Sequence, residues 1–145
     1  MKKIITTMCF MLFIGLIGCD DEPSLNPEGF TEFKTDISGI WKISNVTQNG
    51  IDITNSLDFK SFALNLDYNG TTPSNFSLAS KSPFVTKISE GSWSFDDPIY
   101  PTIIIFSDGS SAKLLKPILS SGEKSLNLEI VLGCGNMVYQ YKLIK

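Results

Sequence analysis

The sequence contains no histidine and no arginine, so its only basic side chains are twelve lysines. Without histidine the chain lacks the commonest general base, the usual zinc ligand and every Ser–His or Cys–His nucleophile pair. Without arginine it lacks the bidentate clamp that proteins use for phosphates and carboxylates. The formal net charge of −3 also leaves no basic surface for nucleic-acid binding. We therefore predict no nucleic-acid partner, no metal site and no cofactor.

Cysteine is scarce, with three residues at positions 9, 19 and 134. Cys9 lies inside an N-terminal apolar run and Cys19 directly follows that run. If both are removed or modified during export, Cys134 is the only thiol left and an internal disulfide is excluded. Cys134 lies between two glycines, which favours a small turn residue over a reactive thiol because no cationic neighbour activates it. We predict that Cys134 is reduced.

The N-terminal apolar run, residues 4–17, carries no charge and follows Lys2 and Lys3. It is shorter than the roughly 20 apolar residues that a membrane-spanning helix needs. A basic start, an apolar middle and a small residue at the end are typical of a cleaved signal peptide. An uncleaved membrane helix is the alternative interpretation.

The end of this run, Leu16-Ile17-Gly18-Cys19, resembles the lipobox of bacterial lipoproteins. The resemblance implies cleavage before Cys19 and attachment of acyl chains such as palmitate to that residue. Stable anchoring takes more than one chain, since each buried methylene contributes about 0.8 kcal/mol. The acidic residues 20–22 resemble the export signal of Bacteroidetes-type surface lipoproteins, which implies an outer-membrane location facing the cell exterior. The same acids also fit a simple solvated tether.

Three segments follow from these patterns. Residues 1–18 are the predicted signal peptide, and residues 19–36 are a flexible tether that contains Pro23, Pro27 and several acidic residues. Residues 37–145 form the predicted globular domain, which is long enough for one hydrophobic core.

Short runs of alternating apolar residues recur from residue 37 onward, each bounded by Gly, Asn, Asp or Pro. This spacing is typical of an all-β sandwich or barrel. The predicted strands are 39–47, 51–53, 61–67, 75–79, 91–96, 102–106, 111–115, 126–132 and 137–144. Asn49-Gly50 and Asp108-Gly109 predict hairpins. The continuous apolar run 102–106 predicts a strand covered on both faces.

Short turns between successive strands favour an up-and-down antiparallel order, and closure of the sheet removes exposed edges. We therefore predict an all-β fold, a small antiparallel up-and-down β-barrel of about eight or nine strands. A two-sheet sandwich is the alternative.

Six aromatic residues on alternating strand faces are the predicted ligand-binding residues: Trp41, Phe62, Trp93, Phe95, Tyr139 and Tyr141. The interpretation we favour is structural, because small barrels are often filled by their own side chains. A second interpretation is a partly open interior that admits one apolar or amphipathic molecule. A third places Trp93 and Tyr100 on the outside as a stacking platform for a sugar.

Acidic residues near predicted turns are the remaining catalytic candidates, namely Glu90, Asp96, Asp97 and Asp108. A glycosidase needs two carboxyl groups either about 5 Å or roughly 6.5–9.5 Å apart across a cleft. Acids in turns usually bond the local backbone instead. We therefore predict that the protein is not an enzyme, with a hydrolase kept as a third functional hypothesis.

Gly39-Ile40-Trp41 opens the first predicted strand and is similar to the Gly-x-Trp signature of lipocalins. With this motif, four further segments resemble a family of uncharacterised lipocalin-like bacterial lipoproteins: Asn49-Gly50, residues 91–97, residues 100–102 and Gly133-Cys134. The resemblance implies a lipocalin-like barrel. Lipocalins usually place a late arginine on the first-strand tryptophan. In this chain a lysine must cover Trp41, or the contact is absent.

The expected function is that of a lipid-anchored surface lipoprotein whose barrel is a non-catalytic binding module. Its expected partners are the membrane, through the N-terminal lipid, and a small apolar or amphipathic ligand. The alternative is a structural or accessory component of an outer-membrane nutrient-uptake or glycan-binding complex, with an outer-membrane protein as partner.

Overall fold

The computed structural model describes residues 34–79, 86–118, 122–133 and 137–145. The predicted signal peptide, lipidation of Cys19 and state of Cys134 all lie outside these residues. Within the described ranges, no helix has the length and apolar character needed to cross a membrane.

Nine antiparallel strands and one 3₁₀ turn, Phe59–Ser61, make up the described secondary structure. In chain order the strands are β1 (Gly39–Gln48), β2 (Ile51–Asp52), β3 (Ala63–Asn69), β4 (Thr72–Leu78), β5 (Glu90–Phe95), β6 (Ile103–Phe106), β7 (Ser111–Leu114), β8 (Ser125–Leu132) and β9 (Met137–Ile144). Each strand from β3 to β8 pairs with the next, and β1 pairs with both β3 and β9. Eight strands therefore close into a barrel, while β2 is an extra strand beside the end of β1. The predicted all-β, up-and-down barrel is confirmed.

The hairpin between β1 and β2 has a two-residue loop, Asn49-Gly50, because Gln48 pairs with Ile51. Both loop residues have positive φ, 49° at Asn49 and 81° at Gly50. Asparagine and glycine tolerate this conformation better than other residues, and its twist matches that of the two strands. The turn predicted here from Asn-Gly is confirmed.

A bulge interrupts β1 where it pairs with β9, between Ile43 and Asn45. The extra residue changes which side chains face inward, so that Trp41 before the bulge and Val46 after it are both fully buried. A strand of strict two-residue alternation would place one of these two side chains outside.

The interior is one hydrophobic cluster to which almost every described strand contributes. Its buried members are Ile37, Trp41, Val46, Phe59, Phe62, Leu64, Leu66, Phe76, Trp93, Ile104, Phe106, Ala112, Leu114, Leu126, Leu128, Ile130, Tyr141 and Leu143. Side chains alternate in and out along each strand, and the inward set fills the barrel.

The prediction that residues 102–106 are covered on both faces is wrong. Ile104 and Phe106 are buried, but Ile105 between them is 38% exposed. The reason is architectural: a barrel strand has one interior face, and nothing in the described residues packs over the outer face of β6. A continuous apolar run therefore does not distinguish a doubly covered strand from a barrel strand.

Gly91 of β5 pairs with Phe76 of β4 and has almost no free space around it. A Cβ atom there would overlap Ser107 Oγ and lie 3.1 Å from both Ile88 Cδ1 and Phe76 Cε1. We expect Gly91→Ala to destabilise the barrel by about 1 kcal/mol, because overpacking outweighs the roughly 0.5–1 kcal/mol gained by restricting a strand glycine. Urea denaturation measures the difference, with exposed Ser92→Ala on the same strand as the matched control. A Gly91→Ala chain as stable as the control would contradict this packing.

Candidate functional site

The six predicted ligand-binding residues do not meet around a cavity. Four of them, Trp41, Phe62, Trp93 and Tyr141, are buried members of the core cluster. Phe95 and Tyr139 are partly buried and pack against that cluster. Tyr139 pairs with Gln48, the last residue of β1, whereas Phe95 lies near Thr35, before β1 begins. The two accessible aromatic rings therefore lie toward opposite ends of the barrel.

The Trp41 side chain makes contacts through both its indole N–H and its aromatic ring. Its indole Nε1–H donates a hydrogen bond to the Ile37 carbonyl at 2.9 Å. The Lys145 ammonium lies 4.8 Å from the centre of the ring. A lysine therefore supplies the cation expected over this tryptophan, at a distance suited to a cation–π interaction. Since Trp41 itself is fully buried, its contacts stabilise the barrel and leave no face for a ligand.

Trp93 is the centre of an aromatic cluster at the Thr35 end of the barrel. Its ring meets Tyr68 edge-on at 5.3 Å and Phe95 at 5.2 Å between centroids. Its indole Nε1–H donates to the Asp67 carbonyl at 3.2 Å. Trp93 is only 4% exposed, whereas Tyr100 is 73% exposed. The interpretation in which these two rings form an outside platform is therefore wrong for Trp93, which faces the interior.

Tyr141 and Tyr139 stack along β9 with their ring centroids 6.4 Å apart. Burial, with a smaller contribution from the neighbouring Tyr139, raises the pKa of Tyr141 to about 12. Its hydroxyl therefore stays protonated at physiological pH. The Tyr139 hydroxyl lies 3.9 Å from the Met137 sulfur at the rim.

A crevice opens in the barrel wall where β4 and β5 stop pairing. The two strands pair at three positions, from Asn75↔Ser92 to Ser77↔Glu90. Beyond these positions no pairing joins the first residues of β4 to the last residues of β5, although both strands are described there. The crevice between them has a volume of about 170 Å³. It is lined by Thr35, Thr71, Thr72, Pro73, Ser94, Phe95 and Pro98.

Hydrogen bonds across the barrel end fix one wall of the crevice. The Thr35 N–H donates to the Pro98 carbonyl at 3.0 Å, and the Thr35 hydroxyl donates to the Ile99 carbonyl at 3.2 Å. The Tyr68 hydroxyl donates to the Thr35 carbonyl at 3.0 Å and accepts from the Ile37 N–H at 3.2 Å. Thr35, which lies within the segment predicted as tether, is thus buried against the barrel.

Of the predicted ligand-binding residues, Phe95 alone lines this crevice. Sequence reasoning missed Thr35, Pro73 and Pro98, because isolated threonine and proline residues carry no motif. It also ended the third predicted strand at residue 67, directly before Tyr68. The signal for Tyr68 was present, since it continues the inward alternation of Leu64 and Leu66 along β3. Burial raises the pKa of the Tyr68 hydroxyl to about 12, so it remains a donor to Thr35.

Three of the four candidate carboxylates, those of Asp96, Asp97 and Asp108, hold loops, whereas Glu90 is exposed at the start of β5. Asp96 accepts hydrogen bonds from the backbone N–H groups of Thr102 and Ile103, each at 2.9 Å, and from the Thr102 hydroxyl. Partial desolvation acts to raise the pKa of Asp96, but these hydrogen bonds outweigh it and lower the pKa to about 2. A general acid needs the opposite shift, toward the operating pH.

Asp97 and Asp108 are engaged in the same way. Asp97 accepts from the N–H groups of Ile99 at 2.7 Å and Tyr100 at 2.8 Å. Asp108 accepts from the N–H groups of Ser110 and Lys87. Within the described ranges, no group of three or more acidic or cysteine side chains is placed to hold a metal ion.

The Asp96 loop gives a pH-dependent prediction. Because the folded-state pKa lies below the ordinary value of 3.8, ionised Asp96 stabilises the fold fully above about pH 4, and this contribution disappears as the pH falls through about 2. We expect Asp96→Asn to cost about 1 kcal/mol at pH 7. The gap to the wild-type chain should close toward pH 2, as followed by urea denaturation at each pH.

The control for this series is Asp58→Asn, since the Asp58 side chain makes no capping hydrogen bond to the 3₁₀ turn that it precedes. A gap between Asp96→Asn and wild type that stays constant from pH 7 to pH 2 would contradict the role given to the Asp96 carboxylate.

Comparison with known proteins identifies a family. Residues 20–144 match the model of a family described as a domain of unknown function, DUF5004. No curated protein and no solved structure matches the chain. The closed barrel with a wall crevice is a fold compatible with ligand binding. Because the match spans most of the sequence, the chain belongs to the DUF5004 family.

Proposed function

We propose that this protein is an outer-membrane surface lipoprotein, anchored through acyl chains on Cys19 and facing the cell exterior. Its lipocalin-like barrel is a non-catalytic binding module for a small apolar or amphipathic ligand. The proposed binding function is supported by the crevice between β4 and β5, where Phe95 lies beside side chains that carry hydroxyl groups.

The anchor is supported by the order of features at the N-terminus. Two lysines precede an uncharged apolar run, small Gly18 precedes Cys19, and acidic residues follow at once. This order suits export followed by cleavage. Acyl chains on the new N-terminal residue would bury enough methylenes for stable attachment to a bilayer.

The location of the ligand site follows from the packing of the interior. Four of the six candidate aromatic residues are buried among one another, so a deep central cavity would require the core to be emptied. Ligand pockets usually measure about 300–1,000 Å³. The crevice of about 170 Å³ therefore suits a small molecule, or one group of a larger molecule.

The non-catalytic character is supported by the residues that remain for chemistry. Histidine is absent from the sequence, and Asp96, Asp97 and Asp108 are each occupied by backbone N–H groups. The crevice lining contains hydroxyls, prolines and one phenylalanine, with no acid or base. Such a lining favours capture of a ligand over its transformation.

A second candidate function is that of an accessory component in an outer-membrane nutrient-uptake or glycan-binding complex. Exposed apolar side chains at the other end of the barrel favour it. Ile51 is 70% exposed, and Val131, Leu132 and Met137 of the β8–β9 hairpin are also exposed. Exposed apolar side chains gathered at one end of a sheet are typical of protein contact surfaces.

Lipidation is tested by growth with a radiolabelled fatty acid. We expect label on the wild-type chain and on Cys9→Ser, the matched control inside the predicted signal peptide. Cys19→Ser should carry none, because the acceptor thiol is lost. Equal labelling of Cys19→Ser and wild type, or no labelling of wild type, would contradict the anchor.

The accessory function is tested at the hairpin end. If it holds, the double variant Leu132→Glu/Met137→Glu should lower the yield of chemical cross-links between the cell-surface chain and an outer-membrane protein by about tenfold, because charges replace apolar contacts. Ile40→Glu, which alters an exposed side chain at the start of β1, serves as the control. An unchanged cross-link yield in the double variant argues for the binding module alone.

A further inference from the structure

We infer that the crevice between β4 and β5 binds one neutral six-membered ring that carries hydroxyl groups. This inference rests on the proposed function, since it names the chemical class of ligand that the binding module takes. The argument uses the size of the crevice, its apolar surface, its hydroxyls and the charges around it.

The volume limits the ligand to one ring. A cavity of about 150 Å³ in another protein accommodates one benzene molecule. The crevice is slightly larger, at about 170 Å³. Because Thr71, Thr72 and Ser94 are exposed, the crevice opens to solvent, and substituents on the ring have room to project outward.

The apolar surface of the crevice comes from rigid side chains. Phe95 is held edge-on against Trp93, and Pro73 and Pro98 have no rotatable side chain to immobilise. A flat ring packed against these three residues costs little side-chain entropy. This favours a ring over a flexible alkyl chain of similar volume.

The polar side chains that line the crevice all carry hydroxyl groups. Thr71, Thr72 and Ser94 each carry one hydroxyl that both donates and accepts. The Thr35 hydroxyl donates to the Ile99 carbonyl and keeps a lone pair for a ligand donor. Groups that switch between donor and acceptor are matched by ligand hydroxyls, which have the same property.

The surrounding charge disfavours anions. No lining residue is ionisable, and Asp96 and Asp97 lie in the chain between Phe95 and Pro98. Asp36 follows the lining residue Thr35 in the chain, and Lys34 precedes it. The low pKa of Asp96 keeps it negative at neutral pH. Among the chain neighbours of the lining residues, three acids therefore outnumber one lysine, and a carboxylate on the ligand would meet more negative than positive charge.

The test is saturation-transfer difference NMR on the complete anchored chain in lipid nanodiscs, with methyl glucoside, phenol and benzoate as probes. We expect a saturable signal from at least one neutral ring, and a signal from benzoate about tenfold weaker. The glucoside and phenol arms distinguish a saccharide source from an aromatic one.

Two variants locate the site. Ser94→Trp should lower the signal of the neutral ring about tenfold, because the indole fills the crevice. Ser92→Trp, on the same exposed face of β5, should leave it unchanged. Thr72→Trp on the opposite wall, with Ser77→Trp as its control on β4, repeats the test if Ser94→Trp does not fold.

Binding that survives both crevice variants would overturn the site while leaving the proposed binding module intact. A benzoate signal as strong as the phenol signal would overturn the neutral class of ligand. The absence of signal from both neutral probes would overturn it as well. Failure of the lipoprotein assignment is measured separately, by fatty-acid labelling of Cys19.

Discussion

The pairing of β1 with both β3 and β9 closes the sheet, and the other properties of the barrel depend on this double pairing. Closure joins residues far apart in sequence, such as Val46 with Tyr141, and leaves β2 as a short addition outside the ring. In a barrel of eight strands the interior is just wide enough for side chains to fill it. Closure of the sheet therefore also forms the interior that the core side chains fill.

Aromatic side chains that carry a polar atom connect the barrel ends to the strands through hydrogen bonds. The indole N–H groups of Trp41 and Trp93 and the hydroxyl of Tyr68 each donate to a backbone carbonyl. An unsatisfied polar atom at these positions would cost roughly 1–3 kcal/mol, so each bond also fixes the segment that supplies the carbonyl. The segment before β1 is held in this way, and it forms one wall of the crevice.

Much of the fold could be predicted from local chemistry, whereas the site could not. Alternation assigns Leu64 and Leu66 to one face, and Asn49-Gly50 specifies its turn without help from distant residues. Alternation does not say whether side chains fill the space that the inward face encloses. Trp41 and Phe95 therefore look alike in sequence, although Trp41 is fully buried and Phe95 is accessible. Lys145 covers Trp41 only because closure brings the end of β9 to the start of β1.

The crevice depends on where the pairing of β4 with β5 ends, and no local sequence pattern encodes that position. β4 starts at Thr72, three residues before its predicted start, and a bulge between Leu66 and Tyr68 shifts its register against β3. Its first residues therefore extend past the last pair with β5 and leave the gap. A ligand in the barrel interior would have to displace core side chains that each contribute about 1.5–3 kcal/mol. A ligand in the gap displaces none, so a barrel filled by its own side chains binds most readily where its wall is incompletely paired.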